Sequence, residues 1–415
     1  MDANLAKAYT PLQLGPLHLP NRFIKAGTYE GMTVELAGRR QASAALAAHH
    51  AAVAAGGTAL TTLGYVAVAN DGRTFAEEMA ATTETQASLA AVAGAVHAAG
   101  GRVSIQLGHC GTMTRTPDRR RKRPGGPSKT LNLYGAAVGA LFTREMTEAD
   151  MGEVADEFVA AALVAAQAGY DAVEVHMGHG YLLSQFLSPL ANRRQDRFGG
   201  AVENRIRFPV EVARRVVEAV GDRMAVLVKA NLRDGKRGGT EVADCIALAR
   251  ALETVGVHGL VMSGGFSPHT PMYLFRGQSM AESMLATEKS AWNRFLIKLG
   301  SKTPAFRGMP FEELYFRREA LQVREAVKGM KLCLLGGVRS AENVATAMAD
   351  GFDAVVMGRP LIAEPDLVQR WQAGGNAASR CINCNRCVGE FSSGAGVRCV
   401  LNPVNDRALN QRAAG

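Results

Sequence analysis

In "VEVHMGHGYLLSQF", residues 173 to 186, two histidines and a tyrosine crowd into six positions directly after an apolar, β-branched run. His176, His179 and Tyr181 can all give or take a proton. Groups of this type donate hydrogen bonds to an oxygen that gains negative charge during a reaction. A phenol at its ordinary pKa stays protonated at neutral pH, so Tyr181 can act as an acid without tuning. A lone histidine here would more often be structural, but the H-x-x-H-G-Y grouping favours chemistry. A zinc reading of the pair lacks a third histidine or a carboxylate at ligand spacing.

A second group lies near the C-terminus. Cys381, Cys384, Cys387 and Cys399 follow C-x2-C-x2-C-x11-C. That spacing suits an iron–sulfur cluster, such as a four-iron (4Fe-4S) one, or tetrahedral zinc, and an empty relic stays open. The other three of the seven cysteines, Cys110, Cys245 and Cys333, are scattered. The opening "MDANLAKAYTPLQLG" lacks the order of an export signal, so reduced thiols and a cytoplasmic location are expected.

Glycines mark a third group. "LLGGVRS" and "VVMGRPL" place Gly336, Gly337, Gly358 and Arg359 where backbone N–H groups and a guanidinium can meet a phosphate.

These groups need a frame. Short β-branched runs at 22–27, 59–66, 102–109, 171–176, 224–230, 259–264, 331–337 and 353–358 alternate with amphipathic segments. The latter include 147–168, 203–220, 242–255 and 340–350. The alternation predicts an α/β fold, a (β/α)8 TIM barrel, over residues 1–375, with a Cys-rich extension at 376–415. Long loops are expected after the third strand (about 111–147) and the sixth (265 to about 310). In such barrels the chemistry gathers at the C-terminal ends of the strands, and the residues singled out fall there.

The bulk numbers exclude more than they assign. With 47% hydrophobic and 20% charged residues, the chain of 415 is an ordinary globular one. The stretch between Arg40 and Asp71 carries no charged residue, but His49, His50 and Gly56-Gly57 interrupt it. A packed helix followed by a strand is therefore expected rather than a membrane span. The net charge of +9 concentrates partly in "RTPDRRRKRPGGPSK", Arg115 to Lys129. Without aromatic interleaving this reads as a solvated loop, or as a patch for an anionic substrate or cofactor phosphate, and no nucleic-acid partner is expected. Arg119 to Arg123 could favour NADPH or an acyl-CoA.

"HMGHGYLLSQFLSPLANRRQDRFGGAVENRIRF" resembles the signature of the old yellow enzyme family, as do "NRFIKAGTYEGM", "IQLGHCG" and "LGGVRSAENV" with "DAVVMGRPL". The resemblance implies a non-covalent FMN across the barrel mouth. Gln106 and Lys229 would meet its pyrimidine side, and Ala26, Gly27, Thr28 and Gly64 would lie against the ring. Gly336, Gly337, Gly358 and Arg359 would hold the phosphate. It further implies an ene-reductase: NADH or NADPH as reductant, His176 and His179 on the oxygen of an electron-poor alkene, Tyr181 as proton donor. "NRRQDRFGG" and "ENRIRF" read as structural.

Tyr29 stands where some relatives place a flavin-tuning or flavin-linking cysteine. The cysteine set looks like that of dienoyl-CoA reductases and amine dehydrogenases. An amine dehydrogenase or demethylase passing electrons through a cluster is thus the alternative, and a redox module acting by partner binding is a third. A homo-oligomer is left open.

Overall fold

Each apolar run expected as a strand is one, because both faces of a parallel barrel strand are buried and tolerate continuous β-branched sequence. In the computed structural model the strands are β1 (Phe23–Tyr29), β2 (Leu60–Ala67), β3 (Arg102–Gly108), β4 (Ala172–Met177), β5 (Ala225–Asn231), β6 (Gly259–Ser263), β7 (Lys331–Leu335) and β8 (Ala354–Met357). They close in sequential order into one parallel barrel, β8 pairing with β1. The structure describes residues 2–117, 120, 122–288, 291–303, 306–390 and 396–402.

Helices α1 (Ala44–Ala55), α2 (Gln86–Ala98), α3 (Glu148–Gln167), α4 (Arg207–Val220), α5 (Val242–Thr254), α6 (Arg317–Ala326), α7 (Ala341–Ala349) and α8 (Leu367–Gln372) surround it. Local chemistry fixes their starts. Thr147 and Asp150 form a reciprocal capping box at α3, as do Ser340 and Asn343 at α7. The segment expected as one helix from 203 to 220 is two, Val202–Arg205 and α4. Pro209 lacks the N–H for an i−4 bond, so it is accommodated in the first turn of a new helix.

Both long loops carry structure of their own. The loop after β3 holds a two-residue parallel ladder, Gly125–Gly126 with Arg144–Glu145. The loop after β6 holds helices at Pro271–Leu274, Met280–Thr287 and Ala291–Ser301. The basic stretch is partly neutralised. Arg120 pairs with Asp71 (3.0 Å), Glu153 (2.6 Å) and Glu157 (2.5 Å), while Asp118, Arg119 and Arg121 lie outside the described residues. The charge-free stretch supplies α1 and β2, and no described helix is long and apolar enough to cross a membrane.

The cysteine segment folds back over the barrel mouth. Val397 N–H donates to Glu30 O (2.6 Å), Ser379 N–H to Arg339 O (2.8 Å), and Ser283 Oγ, from the loop after β6, to Arg386 O (3.1 Å). "NRRQDRFGG" and "ENRIRF" carry ion pairs, Arg194 with Asp196 (2.5 Å) and Arg205 with Asp244 (2.8 Å).

Candidate active site

The C-terminal ends of the strands surround a cavity of about 300 Å³. Its floor is Ala26, Gly27 and Thr28 from β1; Gln106 and Lys229 stand on one side. His176, His179 and Tyr181 form a wall, and Gly336, Gly337, Gly358 and Arg359 the far end. Gly64 is placed differently from the other residues singled out. It sits behind the floor, where a Cβ would come within 2.8 Å of Gln106 Cβ and 3.2 Å of Gly27 Cα. Its smallness lets Gln106 pack against β1 and β2.

Strand register positions the polar side. Glu174 of β4 is opposite Gln106 of β3, and His176 is opposite Lys229 of β5. Glu174 Oε1 accepts from Lys229 Nζ at 2.8 Å and from Gln106 Nε2 at 2.6 Å, and both charged side chains are about 2% exposed. The sequence reading missed Glu174; its signal was a lone carboxylate inside the apolar run "DAVEVHM". A buried ammonium needs such a partner to stay charged.

On the wall, the ring centroids of His176 and His179 are 4.9 Å apart, and those of His176 and Tyr181 are 4.7 Å apart. Tyr181 also stacks on Tyr65 at 4.7 Å. Burial, then the neighbouring His179 and Lys229, holds His176 well below the ordinary imidazole range. His179 is pushed down to about 3 by burial and Lys229. Both rings are therefore neutral at physiological pH. His176 Nδ1 accepts from Gly178 N–H (3.3 Å), which leaves the ring proton on Nε2 as a donor. His179 is held through its N–H to Asn231 Oδ1 (3.0 Å) and its Nε2 against Ser263 Oγ (2.8 Å).

Glu78, buried in the same wall and also missed, accepts from Thr74 N–H at 2.5 Å; burial pushes its carboxyl up to about 8. Asp71, His109 and Glu157 present ligand-type atoms within 4.8 Å of one another. Arg120 already takes both carboxylates, and His109 Nδ1 accepts from Gly111 N–H, so a cation is matched there by protein.

The far end suits an anion. Gly336 and Gly337 adopt φ of 105° and 78°, and a Cβ on Gly337 would lie 2.6 Å from Leu314 N. Only glycine allows this backbone to turn toward the cavity, where Arg339 and Arg359 also point. A slot with hydrogen-bonding groups at one edge, a flat glycine-containing floor and a cationic end fits a planar cofactor with an anionic tail.

Cys381 and Cys387 line this cavity too, and all four of Cys381, Cys384, Cys387 and Cys399 border a small adjoining one. All four are thiols facing one small space, the donor type that both tetrahedral zinc and an iron–sulfur cluster use.

Residues 7–301 match the sequence profile of the NADH:flavin oxidoreductase / NADH oxidase family. The 4,4'-dithiodibutanoate disulfide reductase of Rhodococcus erythropolis is 36% identical over 396 residues, 95% of this chain and 94% of that protein. The NADH oxidase of Thermoanaerobacter brockii is 30% identical over 76% of this chain and 44% of its own. Among solved structures, morphinone reductase with tetrahydroNAD superimposes with a TM-score of 0.67 at 25% identity, covering 93% of this chain and 96% of that one. A 2-naphthoyl-CoA reductase complex shares the fold with a TM-score of 0.79 at 21% identity, over 97% of this chain and 58% of that one. The fold, the cavity and these matches agree that the chain is an oxidoreductase belonging to the NADH:flavin oxidoreductase / NADH oxidase family.

Proposed function

We propose that the protein is an FMN-dependent NAD(P)H oxidoreductase that reduces the activated C=C bond of an α,β-unsaturated carbonyl or related compound. The observation that carries this is the wall of His176, His179 and Tyr181, with neutral imidazoles, facing the same slot as Lys229 and Gln106. When bound, the flavin supplies a hydride obtained from NADH or NADPH. His176 Nε2–H and the His179 ring receive the substrate oxygen and stabilise the charge that grows there as the β-carbon is reduced. Tyr181 O–H delivers the proton to the α-carbon, so two electrons and two hydrogens saturate the bond. Gly336, Gly337, Gly358 and Arg359 would hold the cofactor phosphate, and the four cysteines would hold an iron–sulfur cluster.

The likeness to the Rhodococcus disulfide reductase over nearly the whole chain favours a second reading. Hydride on one sulfur of a disulfide breaks the S–S bond and releases a thiolate, which the histidines would stabilise and Tyr181 would protonate. One experiment separates the two. Anaerobic protein carrying FMN is bleached with NADH or NADPH, then mixed with cyclohexenone or 4,4'-dithiodibutanoate, and the return of the flavin absorption is timed. Rapid return with the enone supports the proposal; return with the disulfide alone replaces it by the second reading. Protein that stays colourless after incubation with FMN overturns both.

A further inference from the structure

We infer that the cysteine segment builds the phosphate site: Asn385 and Ser379 position Arg359 and Arg339 for the flavin phosphate. This rests on the phosphate reading of the Gly336–Gly337 end given above. Arg359 and Arg339 both line the cavity there, and each is held by a residue of the segment that carries the cysteines.

Arg359 Nη1 donates to Asn385 Oδ1 at 2.6 Å and to Arg276 O at 2.8 Å. Asn385 itself cannot turn. Its Nδ2 donates to Phe275 O (2.7 Å) and Gln278 O (2.8 Å), it is 1% exposed, and it stands between Cys384 and Cys387. Its φ of 55° is the left-handed conformation that asparagine tolerates better than most residues. One amide thus ties the loop after β6, the arginine after β8 and the cysteine loop together.

Arg339 is held from the other end of the segment. Its Nη2 donates to Ser379 O at 2.7 Å, and Ser379 N–H returns a bond to Arg339 O at 2.8 Å. Ser379 Oγ in turn donates to the buried Glu364 at 2.6 Å, which anchors the exchange to the helical turn after β8. A guanidinium fixed before the anion arrives loses little freedom on binding, so the braces raise affinity for the phosphate specifically. They do nothing for the ring, which would be seated by β1.

The test compares two ligands that differ only in the phosphate. Dissociation constants for FMN and riboflavin are measured by fluorescence quenching on deflavinated full-length protein and on Asn385→Ala. The wild type should prefer FMN, and Asn385→Ala should weaken FMN about tenfold with riboflavin unchanged. Asn385→Ser, which keeps a small polar group, serves if the alanine variant fails to fold. Equal weakening of both ligands reports general damage and overturns the positioning role, as does no change in either. A wild type that binds the two equally overturns the phosphate assignment while leaving a flavin site; one that binds neither overturns the flavin reading with it.

Discussion

Glu174 Oε1 lies 2.8 Å from Lys229 Nζ, and both side chains are almost completely shielded from water. Because Gln106 shares the same oxygen, the pair fixes two of the groups aimed at the cavity. Removing the carboxylate leaves an ammonium without compensation in the barrel. Glu174→Ala should lower stability by about 3 kcal/mol. A urea midpoint equal to that of the wild type would rule out this role.

Tyr181 should matter to one half of the cycle. Tyr181→Phe keeps the stacking on Tyr65 but has no proton to give. Stopped-flow bleaching by NADPH should be unchanged, while reoxidation by cyclohexenone should slow by about 100-fold or more. Equal loss in both halves would instead indicate damage to the cofactor site.

Acid should destabilise the fold earlier than in most proteins. Burial pushes His49 and His179 down to about 3 and His109 to about 4, and lowers His50 and His176. A depressed folded pKa means that the unfolded chain takes up the proton first, so this stability is complete above about 6.5 and is lost as pH falls toward the folded values. Glu78 at about 8 and Glu157 at about 7 act oppositely, since a raised carboxyl is lost as a stabiliser when pH rises. Five groups outweigh two. The stability change should therefore exceed about 1.4 kcal/mol per pH unit between roughly pH 6 and 5. Urea titrations at pH 7.5 and 5.5 check the sign; a higher midpoint at 5.5 would contradict it.

Gly337→Ala places a methyl 2.6 Å from Leu314 N in a backbone with φ of 78°. The turn toward the far end of the cavity must then shift. Retention of FMN through gel filtration should fall, together with a stability loss of about 1–2 kcal/mol. Full retention of the cofactor would show that this turn does not hold it.

For the cysteines, anaerobically purified protein should contain about four irons and little zinc by elemental analysis. Cys384→Ser should reduce the iron content. Zinc in stoichiometric amount would overturn the iron–sulfur proposal.

Much of this was legible in the sequence because parallel barrel strands are continuous apolar runs with chemistry at their ends. His176, His179, Gln106 and Lys229 could be placed on one mouth by counting strands. What escaped depends on partners distant in sequence. Glu174 read as part of a strand until its register against Gln106 and its ion pair with Lys229 were known, and Glu78 lay in a loop with no periodicity. Gly64 was expected on the cavity surface, but the side chain of Gln106 takes the space beside it. Arg120 read as part of a basic run, whereas Asp71, Glu153 and Glu157 come from two other segments to meet it.

The short ladder of Gly125–Gly126 with Arg144–Glu145 and the three ion pairs of Arg120 pinch the loop after β3 close to its base. Among its described residues, Met113 and Arg115 on the inner side reach the cavity. The outer portion, residues 127–143, is tied down again beyond the ladder: Arg194 Nη1 donates to Pro127 O (3.2 Å), Arg193 N–H to Ser128 Oγ (2.8 Å) and Asn132 Nδ2 to Thr112 O (2.8 Å). A turn held between such ties can change length at little entropic cost. A graft or insertion at its tip can therefore give the enzyme a new surface while its catalytic interior stays intact.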